Sequence, residues 1–406
     1  VNRLLERNLR LIPLHQALTR AHFWLPVFVL FTRARFDLDG AILLASLYYL
    51  FVVVLEVPSG WMSDRLGRVL TLRLASIVWV GAQACFLLGD DRFAVIVLGQ
   101  ALLATGFASL SGTDVTFHYD TLEALGRSGS YEDRQGKVAA LGLVSSSIAA
   151  LIGGLLGLID VRWAFGAALL AALVQLSVTL QLTEPPHDDL DADPFARQIS
   201  LCVRYLRHPS LAWLFGYGIA LVTLEHVAFT LMQPWLTEAL DKTPDELGAT
   251  PSLSGGVFAL TAAVGALSAR LSAPLSRRFG VRQALIGFAV VSALVVTAMA
   301  ASFHVAVIAV IAFRGAQTAA APVIISAAAA PELARGHRAT FLSLNSLAGR
   351  LGYGCLLLIV STYAESDVRA VLIGMSILSW FLVAVLAISG ALVPSERFES
   401  SGDRAG

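Results

Sequence analysis

The residues of this chain most able to do chemistry are charged side chains standing in apolar sequence. Arg20, Glu56, Asp114, Glu225, His226, Arg314 and Arg350 all lie within long apolar runs. A charge in such surroundings is costly, so it faces a bundle interior or a water-filled cavity, or it finds a partner. An arginine there stays charged and offers a planar fork of donors matched to carboxylate or phosphate. A carboxylate shielded from water holds its proton to higher pH, and an unperturbed histidine titrates near about 6.5. Together the set can hold an anion or zwitterion and carry a proton. Arg314 is the leading anion contact, with Gln317 about one turn along as a polar companion. Glu225 is the first candidate proton carrier and Asp114 the second, followed by Glu56 and His226. Adjacent residues point about 100° apart on a helix, so Glu225 and His226 cannot face one cavity equally. Phe23, Trp24 and Phe229 can supply apolar walls. A plainer reading stands beside this one: Arg20 can pair with Glu56 or Asp114, and Arg350 with Glu225, as structural ion pairs.

Other chemistries lack their residues. No phosphate-cradling glycine loop, zinc-type ligand spacing or nucleophile with an adjacent base is recognisable, so an enzyme, an ATP-driven machine, a cofactor and a metal are not expected. Cys85, Cys202 and Cys355 are far apart and make neither a disulfide framework nor a ligand set. Basic and acidic residues balance at 29 each, which speaks against a nucleic-acid partner.

The elements that must position these groups follow from composition. Of 406 residues, 56% are hydrophobic and 14% charged, and mean hydropathy is +0.72. Globular chains carry about 25% charged residues; the deficit requires the bilayer as partner solvent. A membrane helix needs roughly 20 mostly apolar residues, and twelve such stretches are expected, near 11–32, 41–61, 70–89, 93–116, 137–159, 163–183, 211–235, 252–273, 283–302, 304–327, 338–362 and 369–392. Alternate connections hold most of the basic residues, among them Arg65, Arg68, Arg73, Arg127, Arg134, Lys137, Arg277 and Arg278. The others hold Arg33, Arg35, Arg92, Arg162, Lys242 and Arg369. Positive charge is retained on the cytoplasmic side, which predicts both termini inside. The opening VNRLLERNLR does not read as a secretory signal peptide.

The proline- and acid-rich segment TEPPHDDLDADPFARQ, 183–198, reads as a linker. The expected organisation is a six-helix bundle over 1–183, a cytoplasmic linker over 184–210, a second six-helix bundle over 211–392 and a tail over 393–406. The halves echo one another: GWMSDRLGRVLTL (60–72) aligns without gaps on APLSRRFGVRQAL (273–285), and KVAALGLVSSS from 137 resembles RATFLSLNSLA from 338. Duplication of a six-span unit leaves such a trace.

Residues 60–72 also carry a family resemblance. Gly60, Asp64, Arg65, Gly67, Arg68 and Leu72 match the glycine and D-R-x-G-R loop between spans two and three of the major facilitator superfamily. The chain is similar to that family over nearly its whole length. The resemblance implies an all-α membrane protein of two pseudo-symmetric six-helix bundles, a monomer in the inner or plasma membrane that moves a small solute by alternating access. It implies that spans one, four, seven and ten line a central cavity; these carry Arg20, Asp114, Glu225 and Arg314. It implies a conformational latch in which Asp64 meets the start of span eleven near Arg338 and Ala339, and Arg68 pairs with an acid at the inner end of span four, here Asp120. The second copy has Arg277 in place of Asp64, which leaves only the N-terminal latch complete. His118 is expected at a gate or at headgroup level.

Two patterns of the family's proton-driven drug exporters are absent. Gln100 stands where span four should carry an arginine, and span five, AALIGGLLG, lacks a proline. Gly153, Gly154 and Gly157 read as packing glycines. The implied function is secondary active transport, taken first as proton-coupled export of a drug or amphipathic metabolite. The alternative is a proton-coupled importer or a uniporter of an organic anion or zwitterion.

Overall fold

A polypeptide in hydrocarbon must satisfy its own backbone, and a helix does so within one segment. The computed structural model describes residues 2–186, 200, 203–243, 248–329, 332–333, 338–363 and 367–393, and among these all regular structure is helical. Large apolar side chains in mid-helix point outward, including Leu143, Leu170, Ile377, Phe381 and Ile388. In water such a surface would associate; in a bilayer it is the solvated face.

The helices are α1 (Asn2–Thr19), α2 (Phe28–Leu66), α3 (Arg68–Leu88), α4 (Phe93–Leu110), α5 (Thr113–Ala124), α6 (Tyr131–Leu156) and α7 (Val161–Thr179). Then come α8 (Pro209–Ala239), α9 (Thr250–Phe279), α10 (Val281–Ala301), the single turn α11 (Ile308–Ile311), α12 (Arg314–Ala329), α13 (Arg338–Ser361) and α14 (Val368–Ala391). Eleven stretches among the described residues are long and apolar enough to cross a membrane, not twelve. The difference lies at the N-terminus. The stretch expected at 11–32 is not one helix: α1 is diluted by Arg3, Glu6, Arg7 and Arg10, and the chain leaves the helix at Arg20. The next apolar run, Leu25–Glu56, spans what was expected as the end of one crossing and most of the next. It turns sharply at Phe36 and Asp37, whose backbone angles are non-helical.

The chain forms two compact units. The first comprises Val1–Leu190 with Lys242–Ala259 and Leu357–Thr362; the second comprises Asp191–Asp241, Leu260–Leu356 and Tyr363–Gly406. The expected linker falls largely on 187–199 and 201–202, outside the described residues, as does the tail beyond 393. In the first unit α3 packs on α4 and α7, α2 on α4, and α1 on α6 and α7, around a core that includes Trp79, Phe86, Phe117 and Phe165. The glycines of α6 give close approach: a Cβ at Gly157 would stand 2.6 Å from Val27 Cγ1, and one at Gly154 2.6 Å from the Pro251 carbonyl oxygen. In the second unit α10 packs on α14 and α12, and α8 on α12 and α14. Buried polar groups bond across these seams: Trp213 Nε1 to the Leu386 carbonyl at 3.0 Å, Tyr217 to Leu285 at 2.8 Å, Trp235 Nε1 to Met299 at 2.9 Å.

The two echoed loops share a backbone device. Gly67 and Gly280 precede α3 and α10 with φ of 106° and 83°, a region L side chains avoid and glycine enters freely.

Candidate functional site

Three expected spans are interrupted, each beside a charge. After α1 the chain passes through turns at Arg20–Trp24. Between α4 and α5 it turns at Ser111 and Gly112, where Gly112 takes a left-handed φ of 79°, and Asp114 follows in the first turn of α5. Between α11 and α12 it turns at Ala312 and Phe313, and Arg314 opens α12. At Ala312–Phe313 the backbone N–H groups stay bonded within the turn; in membrane transporters interrupted spans mark binding regions. The fourth charged segment, α8 with Glu225 and His226, is continuous.

In the first unit the site forms around Asp114. Its carboxylate accepts the Val115 N–H at 2.8 Å and a hydrogen bond from Gln16, and it lies within electrostatic reach of Arg20. An acid in the first turn is favoured by the helix dipole. Gly142 of α6 leaves room for Arg20 and Gln16; a Cβ there would meet Arg20 Cγ at 3.2 Å. Asp114, His15, Gln16 and Gln135 line a small cavity closed by Ile12, Leu72, Phe117 and Val138. His118 shares a 2.7 Å hydrogen bond with Gln135, and its ring meets Tyr131. Burial, with the Asp114 charge adding to it, raises the Tyr131 hydroxyl above the usual tyrosine range. Glu56 accepts a 3.4 Å bond from Ser111 at the break. The structure thus brings Arg20 within electrostatic reach of Asp114 and Glu56 to Ser111. Phe23 and Trp24 take packing positions: Phe23 lays its backbone against Gly153, and Trp24 is buried against Phe28 and His22.

The loop between α2 and α3 is organised by a residue sequence reasoning missed. The Glu184 carboxylate accepts the N–H groups of both Arg68 and Val69 at 2.7 Å, capping α3 with negative charge at its positive end. Asn8 holds that segment through paired bonds with the Thr183 backbone, 2.7 and 3.1 Å. Arg68 Nε lies 3.5 Å from Asp120 and its Nη1 donates to Ser63 at 3.0 Å. Arg65 is exposed in the last turn of α2. Gly60 sits within α2; the side chains of Asp64, Arg338 and Ala339 lie outside the description. The one legible signal for Glu184 was an acid just after a span, at the level of the basic loops.

In the second unit Arg314, 6% exposed, lies with its guanidinium 5.3 Å from the Phe229 ring centre, an arrangement that attracts cation to ring. Gly315 makes the position possible: a Cβ there would stand 3.0 Å from Thr261 Cγ2. His226, bonded to the Val222 carbonyl at 2.8 Å, lies within electrostatic reach of Glu225, Arg314 and Arg350. Its ring meets Tyr353, which shares a 2.9 Å bond with Thr230 and feels Glu225. Glu225, His226, Arg314 and Arg350 therefore form one cluster. Gln317 is turned away from it, fully buried and bonded to Ser292 and Tyr217. Tyr353 and Thr230 went unnoticed in the sequence because neutral polar residues in apolar runs carry no distinguishing signal.

A family model described as Major Facilitator Superfamily matches residues 17–354. The chain belongs to that superfamily of membrane transporters. Among solved structures it is similar to the nucleoside transporter NupG, at TM-score 0.74 and 14% identity, covering 95% of this chain and 99% of that one. It is also similar to an auto-inhibited POT family peptide transporter, at TM-score 0.73, 15% identity and 95% and 97% coverage. A D-xylose-proton symporter follows at TM-score 0.70, 13% identity and 95% and 98% coverage. At these identities the likeness is one of fold. Comparison with curated proteins finds no match.

Proposed function

We propose that the protein is a secondary active transporter that moves a small organic anion or zwitterion through the cell membrane by alternating access, coupled to protons and running outward as an antiporter. The observation carrying this reading is the coincidence of helix breaks with charge at Arg20, Asp114 and Arg314. A scaffold with no cargo has no use for breaks that place costly charges in apolar spans. Each unit by itself offers both signs to a zwitterion: Arg20 within electrostatic reach of Asp114 in one, and Arg314 and Arg350 near Glu225 in the other. Arg314 is the anion contact, with Phe229 beneath it. Glu225 is the first proton carrier and Asp114 the second; His226 tunes Glu225. Gln317, buried in its own bonds, positions α12 instead of touching solute. Arg68 with Asp120, and Asp64 beside them, form the latch.

The same reading takes the discontinuous stretch from α1 to Phe36 as the first of twelve crossings in two six-helix bundles. The protein is a monomer in the inner or plasma membrane with both termini in the cytoplasm. Import by symport is the second reading, favoured by the excess of arginine around Arg314; a solved neighbour in fold is a D-xylose-proton symporter.

The test uses liposomes enclosing a pH-sensitive dye, a proton gradient, and pools of anionic, zwitterionic and cationic compounds, with Glu225→Gln alongside. An anionic or zwitterionic compound that moves protons with the wild type and not with the variant supports the reading, and the direction of flux tells export from import. Transport without proton movement, indifferent to Glu225→Gln, replaces it with uniport.

A further inference from the structure

The first unit contains a second cavity, apart from Asp114, that no step above uses. It lies against the break after α1, walled by His22, Trp24, Trp79, Gln83, Leu103 and Gln175. Three polar atoms shut off from solvent have no partner among the described residues: His22 Nε2, Gln83 Oε1 and Gln175 Oε1. Gln83 is 4% exposed and Gln175 1%. Gln175 spends its amide N–H on the Thr19 hydroxyl at 2.8 Å, leaving its carbonyl oxygen free. Unbonded polar atoms of three side chains thus stand around one cavity.

Buried polar groups in folded proteins are bonded, to water where protein atoms do not reach. The cavity has room for about one or two water molecules. We propose that it is a hydration site holding ordered water bonded to His22, Gln83 and Gln175, which fastens the interrupted end of α1 to α3 and α7. The site makes the break beside Arg20 a wet joint instead of a dry kink. An ammonium-type cation also brings N–H donors, and the Trp24 and Trp79 rings attract cations. None of the lining residues is acidic, however, and the Arg20 charge bears on His22, which favours the neutral donor.

Radiolytic hydroxyl labelling of the full chain in lipid nanodiscs, in water enriched in oxygen-18, tests the site, because side chains beside bound water are oxidised although buried. Trp79 is 5% exposed, and Trp235, fully buried and bonded to the Met299 carbonyl, is its dry reference. The expected result is Trp79 labelling several-fold faster than Trp235, falling to the Trp235 rate in Gln83→Met. Equal rates in the wild type overturn the proposal, and this comparison stands even where the variant does not fold. Suppression of Trp79 labelling by added ammonium chloride, with sodium chloride inert, also overturns it by making the occupant a cation.

Discussion

Gly315→Ala tests how the leading anion contact is held. A Cβ at 315 stands 3.0 Å from Thr261 Cγ2, 3.1 Å from the Thr261 carbonyl carbon and nearer still to its oxygen, whereas ordinary contact begins at 3.4 Å. The obstacle is backbone and cannot rotate aside, so α12 must back away from α9 by several tenths of an ångström or more. Overfilling a packed seam in this way costs about 1–3 kcal/mol. Arg314, one residue earlier, moves with the helix and loses its place over Phe229, a contact worth about 0.5–2 kcal/mol. Gly287→Ala is the control: a Cβ there meets nothing within 4 Å, and replacing a mid-helix glycine by alanine gains about 0.5–1 kcal/mol. Thermal unfolding in detergent should therefore move in opposite directions for the two variants, with anionic solute binding weakened in Gly315→Ala alone. If Gly315→Ala unfolds with Gly287→Ala and binds like the wild type, the close approach at Thr261 does not position Arg314.

Four further outcomes are expected. Glu184→Ala should lower stability by about 1–3 kcal/mol through two lost charge-assisted bonds at a helix start, with Glu184→Gln recovering part; an unchanged melting temperature removes the cap from the account. A double-mutant cycle on Arg68→Ala and Asp120→Ala should return a coupling of about 1 kcal/mol for this half-buried pair, and additive effects would show the latch contact to be idle. Asp64→Asn should slow conformational exchange, followed by single-molecule fluorescence, while leaving solute binding measurable; unaltered exchange counts against the loop as a latch. Arg314→Ala should weaken anionic solutes more than cationic ones, with Arg314→Lys restoring charge but not the bidentate fork; equal affinity across all three excludes it from the site.

Much of the fold was legible because membrane spans announce themselves one segment at a time. Each helix satisfies its own backbone, so length and apolarity suffice to find it, and the observed helices fall within a few residues of most expected ones. The first crossing was misjudged for the same reason. A run of apolar residues from 11 to 32 gives no sign that the helix stops at Arg20, since a break depends on what neighbouring helices offer the released groups. The charges were visible as anomalies against an apolar background; Gln16, Gln135 and Tyr353 were not, since a neutral polar residue is ordinary in either environment.

Composition and spacing by themselves determined that this chain lives in a membrane and which few residues carry charge there. Only tertiary structure decided which of those residues meet. Arg20 comes within electrostatic reach of Asp114, with Gly142 leaving room for its stem, Glu184 closes α3 from across 115 positions of sequence, and Gln317 is bonded to Ser292 and Tyr217. Hydrophobicity is a property of each segment and can be read along the chain; contact between side chains depends on how helices far apart in sequence pack, and packing is written in no single segment.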